Sequence, residues 1–123
     1  MSIDYEPTDE FQRDFKKLSK KFRTLSEDLE VLKKAVIQLY HLQRVDNNAV
    51  FAIPGFQSEN SQSYKIKKFA SKSLKGRGVK TGLRLIYIFK SSESKVILVE
   101  IYYKGEQTNE DKNRLKKYFT KLI

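Results

Sequence analysis

Two stretches in the C-terminal half of this sequence, residues 83–90 and 95–103, alternate apolar side chains with a second set of side chains. A period of two places every second side chain on the same side of an extended strand. The short polar stretch 91–94 separates the two, as in a β-hairpin, and a third alternating stretch at residues 64–69 precedes them. Together the three predict an antiparallel meander.

The third of these strands predicts two unlike faces for the sheet. Four side chains form an unbroken apolar face: Ile97, Val99, Ile101 and Tyr103. The alternate side chains form a mixed face: Val96, Leu98, Glu100, Tyr102 and Lys104. Antiparallel sheets commonly bury one face against the core and leave the other partly solvated. We therefore expect helices on the apolar face and functional residues on the mixed one.

The N-terminal half predicts two helices joined by a tight turn. Apolar residues recur along one helical stripe in the first of them: Phe11, Phe15, Leu18 and Phe22. Thr8 precedes this stripe as the expected N-cap, and acidic residues follow it in the first turn. Thr24 and Glu27 have the spacing of a capping box, which predicts a second helix to about residue 44. Helices joined this closely predict an antiparallel hairpin.

The remaining segments complete an α+β chain. Residues 2–6 predict a short first strand, and residues 45–63, rich in turn formers, are interpreted as a long connection. Thr108 and Asp111 bracket the start of a final helix. Its apolar stripe is Leu115, Tyr118, Phe119 and Leu122. We expect a single domain over residues 1–123, with an N-terminal helical hairpin packed on a small antiparallel sheet and a C-terminal helix.

Composition excludes several classes of function. A chain with no cysteine and one histidine lacks thiol nucleophiles, thiolate metal sites and multi-histidine centres. The single histidine, His41, is interpreted as a surface or packing residue. The apolar runs are too short to span a bilayer, so we expect a cytoplasmic protein with no membrane partner. Three glycines, Gly76, Gly78 and Gly82, match no nucleotide-binding motif, so we expect no small-molecule cofactor.

Positive charge is concentrated in one segment. The net charge is +10, and residues 64–84 contain eight basic residues and no acid. These are Lys65, Lys67, Lys68, Lys72, Lys75, Arg77, Lys80 and Arg84. Because the segment leaves one strand and returns on the next, we expect its charges to converge on one region suited to a phosphate backbone. The alternative is a solvated connector that keeps a small protein soluble.

Three segments, taken with the order of the elements, carry a family resemblance. They are Tyr64-Lys65-Ile66-Lys67-Lys68-Phe69 with the basic glycine loop after it, Gly82-Leu83-Arg84-Leu85-Ile86-Tyr87-Ile88-Phe89, and Ile101-Tyr102-Tyr103-Lys104-Gly105-Glu106. The region from residue 64 to about residue 115 resembles the RelE/ParE superfamily of type II toxins, most closely its HigB-like branch. The resemblance implies a RelE-like toxin that enters the ribosomal A site, cleaves mRNA without a metal ion and is silenced by a cognate antitoxin.

The resemblance also implies roles for individual residues in an attack of the ribose 2′-OH on the adjacent phosphate. Arg84 matches an arginine early in the family's strand and would hold the scissile phosphate; pairing with Glu100 is the structural alternative. The implied catalytic set is Arg84, Lys68, Lys104 and Glu106, with Glu106 accepting the 2′ proton or serving as an ordinary turn acid. The implied RNA-binding set is Lys65, Lys67, Lys72, Lys75, Arg77, Lys80 and Tyr102, with Tyr102 stacking on a base.

One departure from the family pattern keeps the target open. Many ribosome-dependent members end with an arginine followed by a tyrosine or histidine, whereas residues 106–114 contain neither aromatic. ParE-like members inhibit DNA gyrase and do not cleave RNA, so the same fold serves two targets. Three functions follow as alternatives: a ribosome-dependent mRNA endonuclease, a gyrase inhibitor, and a degenerate RNA-binding module of the toxin fold.

Overall fold

A mixed five-stranded sheet forms the centre of the protein in a computed structural model, which describes residues 2–74, 76–78 and 80–122. Its strands are β1 (Asp4–Pro7), β2 (Val50–Gln57), β3 (Ser61–Ile66), β4 (Leu83–Lys90) and β5 (Lys95–Tyr103). They lie in the order β1-β5-β4-β3-β2, with β1 parallel to β5 and the other neighbours antiparallel. The predicted α+β class and the meander β3-β4-β5 are confirmed.

The helices form a hairpin and a separate C-terminal element. They are α1 (Asp9–Lys21), α2 (Leu25–Leu32), a π-helical segment (Lys33–Gln38), α3 (Leu39–Leu42) and α4 (Lys112–Leu122). Thr8 caps α1 as predicted, because its Oγ1 accepts the N–H of Phe11 at 3.1 Å. The capping box at Thr24 is wrong: the Thr24 hydroxyl donates to Asp28 at 2.8 Å and accepts the N–H of Ser73, so it caps no helix.

The predicted long connection over residues 45–63 is wrong, because it contains β2. This strand pairs with β3 at the sheet edge, and its register shifts between Ala52 and Gln57. Pro54 cannot donate a ladder hydrogen bond, and Gly55 has a φ of +87°, which extended L residues do not adopt. The proline and glycine therefore interrupt the period of two that identifies a strand.

A β-bulge on β5 redistributes its side chains between the two faces of the sheet. Ile86 pairs with Glu100 and the next residue, Tyr87, pairs with Leu98, so Val99 is an extra residue on β5. Beyond Val99, the odd-numbered side chains of β5 therefore point to the opposite face of the sheet. Ile97 and Val99 pack with α4, whereas residues 101 and 103 pack with the helical hairpin. The predicted unbroken apolar face from Ile97 to Tyr103 is therefore wrong.

Both faces of the sheet carry helices. The hairpin covers one face, and α4 packs on the other through Leu115 and Phe119, which are buried against Ile86, Ile88 and Val99. The predicted open face is thus covered along much of its length. Within the described residues, no helix combines the length and apolar character needed to cross a membrane.

His41 lies inside an aromatic cluster on the hairpin side, in agreement with its interpretation as a packing residue. Its Nε2 lies 2.7 Å from the hydroxyl of the fully buried Tyr87, and its ring stacks on Phe89 with centroids 4.1 Å apart. Burial disfavours the imidazolium and lowers the pKa of His41 to about 4. The neutral imidazole is therefore the form that the fold accommodates.

We expect this buried imidazole to make stability depend on pH. Between about pH 6.5 and 4 the histidine of the unfolded chain becomes protonated while His41 of the folded protein stays neutral, so the free energy of unfolding falls by up to about 3 kcal/mol as pH decreases. The contribution is complete above pH 6.5. Urea unfolding across this range, compared with His41→Gln, isolates the effect; parallel curves for the two proteins would contradict it.

Candidate nucleic-acid interface

Arg84 lies on the α4 side of the sheet, beside Lys67 of the neighbouring chain segment. Its Nη1 donates to the Lys67 carbonyl at 3.1 Å and to the Leu83 carbonyl at 3.2 Å. Within the described residues it forms no ion pair. The alternative pairing with Glu100 is wrong, because Glu100 lies opposite Ile86 and binds Gln107 instead. The Arg84 side chain is therefore partly exposed, and no carboxylate of the described residues forms an ion pair with it.

An exposed aromatic ring completes a small surface with these cations. Phe51 on β2 is 40% exposed and pairs in register with Lys65 of β3, on the same side of the sheet as Arg84. The Lys67 Nζ lies 4.7 Å from the centre of the Phe51 ring. We call Phe51, Lys67 and Arg84 the basic–aromatic patch. Such a combination can bind a phosphate and stack a base. The sequence does not predict Phe51 as a site residue, because residues 45–63 are interpreted there as a connection.

Lys65 sits next to the patch in a shielded ion pair. Its Nζ lies 2.8 Å from Glu110 Oε1, and the two side chains are 15% and 9% exposed. Burial lowers the pKa of Lys65, but the Glu110 hydrogen bond and charge outweigh it, so the pKa lies above its usual value. Burial raises the pKa of Glu110, but the hydrogen bond and charge of Lys65 outweigh burial, so the pKa of Glu110 lies below its usual value. Both groups are therefore charged at neutral pH.

Glu110 is not among the site residues expected from the sequence, in which Glu106 is the candidate carboxylate. Glu110 precedes α4, and nothing in its local sequence indicates a contact with β3, 45 residues earlier. The long-range packing of the segment before α4 creates that contact. By contrast, Glu106 lies on the α1 side, 3.9 Å from Lys21 and half-exposed.

Glu100 holds the segment before α4 in place. Its carboxylate accepts the Gln107 side-chain N–H at 2.7 Å and the Asp111 backbone N–H at 2.8 Å. Burial raises the pKa of Glu100, and these hydrogen bonds partly oppose that effect. Arg114 adds a second anchor by pairing with Asp14 of α1. These contacts set the position of residue 110 on the sheet.

The expectation that Tyr102 is presented on an open face is wrong. The side chain is 4% exposed and packs in the cluster beneath α4. Burial raises the pKa of Tyr102, and a hydrogen bond and the charge of the neighbouring Lys65 partly oppose this increase. Tyr102 pairs directly with Arg84 across β4 and β5. It therefore forms part of the floor below Arg84 and cannot stack on a base from the surface.

The predicted convergence of the eight cations on one region is wrong. Lys68, placed in the catalytic set by the resemblance, lines a pocket with Val31 and Ala35 on the hairpin side, because neighbouring residues leave an extended chain in opposite directions. Lys72 lies beside α2 and pairs with Glu27 at 3.2 Å. The positive charge is therefore divided between the two sides of the sheet.

The loop after β3 stays near α2 because a buried carboxylate anchors it there. Asp28 accepts the hydroxyl of Ser71 at 2.6 Å and the backbone N–H of Lys72 at 3.1 Å. Arg77 and Lys80 of this loop are exposed and form no ion pair with the described residues. Lys75 lies outside the described residues.

The turn after β5 brings Lys104 to the same end of the sheet as Arg84. The Lys104 backbone N–H donates to the Gly82 carbonyl at 2.8 Å, two residues before Arg84. Its side chain is exposed. Across the described part of the chain, no group of three or more His, Cys, Asp or Glu side chains is placed to hold a metal ion. This end of the sheet therefore combines cations that can interact with a phosphate and a shielded lysine–glutamate pair.

Comparison with known proteins identifies the fold. No protein-family model and no curated protein sequence matches the chain. Among solved structures, it is similar to an arginine-to-alanine double mutant of the Escherichia coli toxin RelE in the free state, with 19% identity, 100% and 99% of the two chains covered and a TM-score of 0.50. A metal-bound toxin from Helicobacter pylori shows 20% identity, 86% and 99% coverage and a TM-score of 0.49. A chain of the archaeal RelE–RelB complex from Pyrococcus horikoshii shows 12% identity, 85% and 98% coverage and a TM-score of 0.49. The chain therefore has a RelE-like fold.

Proposed function

We propose that this protein is the toxin of a type II toxin–antitoxin system and cleaves mRNA on the ribosome. The observation that carries the proposal is the basic–aromatic patch, in which Arg84 has no described carboxylate partner and lies beside Lys67 and Phe51. The RelE-like fold supports it, because E. coli RelE is a toxin. The HigB-like assignment within this group stays a prediction from the sequence.

The patch is suited to the geometry of an RNA linkage. A guanidinium presents two parallel N–H groups to the non-bridging oxygens of one phosphate, which a single ammonium cannot do. Phe51 is exposed next to Lys67 and can stack on an unpaired base, while the lysine neutralises a neighbouring phosphate. Arg84 therefore holds the scissile phosphate in this proposal, and Lys104 stabilises the negative charge that develops on it.

Dependence on the ribosome follows from the small size of the patch. Three side chains offer few contacts to a flexible single strand, so binding of free RNA is expected to be weak and strongly salt-dependent. A ribosome supplies an immobilised mRNA in a defined conformation, which lowers the entropic cost of positioning it. The net charge of +10 favours association with ribosomal RNA over long distances. Action on ribosomes also requires a cytoplasmic location.

An acidic antitoxin is the partner that fits the rest of the surface. An apolar groove lies between β1, α1 and α2, with Phe11, Phe15 and Leu29 among its lining residues. Its lining carries three cations and one acid: Arg13, Lys16, Lys33 and Asp9. An amphipathic acidic segment matches both the apolar floor and the basic rim. We propose that the cognate antitoxin docks in this groove, on the hairpin side of the sheet.

Mapping of transcript ends after induction tests the proposed function. Expression in a bacterium should arrest growth and produce new 3′ ends within translated codons. In a purified reaction, the same mRNA should be cut when translating ribosomes are present and stay intact when they are omitted. Induction of the DNA-damage response with intact mRNA would instead support inhibition of gyrase. A non-toxic protein that binds RNA in a salt-sensitive manner would support the degenerate module, for which the missing aromatic in residues 106–114 is the motivating observation.

A further inference from the structure

We propose that Lys65 and Glu110 are the acid–base pair of the cleavage reaction, with Glu110 accepting the 2′ proton and Lys65 protonating the leaving 5′ oxygen. This inference rests on the proposed endonuclease function. It assigns chemistry to Glu110, a carboxylate outside the Lys104-Gly105-Glu106 segment that carries part of the family resemblance. It also replaces the aromatic acid or base that residues 106–114 lack.

The pair lies next to the phosphate site proposed for Arg84. Lys65 is opposite Ile86 on β4, and Arg84 is two residues from Ile86 on the same side, a spacing of about 7 Å along the strand. The Lys65 Nζ also approaches Tyr102, at 5.9 Å from the ring centre, and Tyr102 pairs directly with Arg84. One RNA linkage can therefore contact the guanidinium and the ion pair at the same time.

The other carboxylates near this end of the sheet are engaged elsewhere. Glu100 is buried and accepts hydrogen bonds from Gln107 and from the backbone of Asp111. Glu106 is on the α1 side, near Lys21. Glu110 is therefore the carboxylate that contacts a lysine beside the patch, and Glu100 is a positioning residue that holds the segment carrying it.

The chemistry of the pair balances within one turnover. The 2′ O–H bond breaks and its proton passes to Glu110, while the 2′ oxygen forms a bond to phosphorus. The bond from phosphorus to the 5′ oxygen breaks, and Lys65 donates its proton to that oxygen. The products are a 2′,3′-cyclic phosphate and a 5′ hydroxyl. Proton transfer from Glu110 to Lys65 across their 2.8 Å hydrogen bond then restores both starting states.

Two variants separate the two halves of this step on programmed ribosomes. Glu110→Gln keeps a hydrogen-bond acceptor for Lys65 but cannot take up the 2′ proton, so cleavage should fall by about a hundredfold or more. Its remaining rate should rise about tenfold per pH unit, because hydroxide then removes the proton, whereas the wild-type rate stays nearly flat from about pH 6 to 8.5. Glu93→Gln, in the exposed turn between β4 and β5 at the other end of the sheet, is the matched control and should cleave at the wild-type rate.

Lys65→Met tests the leaving-group half. It should cleave a normal linkage about a hundredfold more slowly and recover on a linkage whose 5′ bridging oxygen is replaced by sulfur, because a thiolate leaves without protonation. Glu110→Gln should show no such recovery. Binding of the toxin to ribosomes carrying mRNA with a single 2′-deoxy residue at the cleavage site should be the same for both variants and the wild type.

The outcomes distinguish this inference from the function on which it rests. If the wild type leaves ribosome-bound mRNA intact, the endonuclease proposal and this inference both fail. If the wild type cleaves and Glu110→Gln is equally fast, or lacks the new pH dependence, the assignment of Glu110 is overturned while the endonuclease stands. Absence of sulfur rescue overturns the assignment of Lys65. Weakened binding of the 2′-deoxy complex by either variant assigns that residue to substrate binding and overturns its role in proton transfer.

Discussion

Replacing Arg84 by alanine should relieve growth arrest and slow mRNA cleavage by about a hundred- to a thousandfold, a loss of about 3–4 kcal/mol of transition-state stabilisation. The physical reason is that the guanidinium of Arg84 lacks a described carboxylate partner, so its charge is available to the phosphate. Lys67, the other cation of the patch, lacks the fixed planar pair of parallel donors that a guanidinium presents to a phosphate. Single-turnover cleavage on programmed ribosomes measures the change.

Three controls make the Arg84 result specific. Arg77→Ala removes an exposed arginine from the loop that stays near α2, and it should cleave at nearly the wild-type rate. Arg84→Lys keeps the charge but loses the paired donors, so its rate should fall between the two. Thermal unfolding verifies that each variant is folded, since Arg84 also donates to two backbone carbonyls. An Arg84→Ala protein that is folded and fully toxic would remove Arg84 from the mechanism.

Replacing Leu115 by alanine should lower the free energy of unfolding by about 3–4 kcal/mol, the range found when a buried leucine leaves a cavity. Leu115 is fully buried between α4 and the sheet, in the cluster that contains Ile86 and Val99. An 11-residue helix is marginal without tertiary packing, so loss of this contact weakens the attachment of the whole helix.

Urea unfolding measures the effect of the Leu115 substitution, with Leu122→Ala as the control. Leu122 lies at the end of the same helix and is only partly buried, so its truncation should cost about 1 kcal/mol or less. Equal losses for the two variants would contradict the packing of α4 described here. Cleavage by Leu115→Ala should also decrease, because the segment before α4 carries Glu110 to the sheet.

Local periodicity in the sequence was sufficient to predict several elements. Residues 83–90 and 95–103 correspond to β4 and β5 without change, and the first helix begins after its predicted cap, Thr8. These elements have strong side-chain periods and ordinary backbone conformations. Where the period is interrupted, the predictions were wrong: Pro54 and Gly55 concealed β2, and the bulge at Val99 divided the expected apolar face.

The candidate site could be predicted only in part, for a related reason. Alternation along a strand is a local property, so residue type and spacing place Lys67 and Lys68 on opposite sides once the strand is known. Whether a charged group then meets a partner depends on segments far away in the chain. Glu110 reaches Lys65 across 45 residues, and Asp28 holds the basic loop beside α2 from 44 residues away.

The amino-acid pattern alone therefore accounts for the α+β class, the helical hairpin, the meander and the excess of positive charge at residues 64–84. Packing between distant segments determines which of those charged side chains remain free of an acidic partner and can contact a ligand. It buries Tyr102, neutralises Lys65 with Glu110 and leaves Arg84 without a described acidic partner. The physical reason is that periodicity is set by neighbours along the chain, whereas burial and ion pairing depend on the folded arrangement of remote residues.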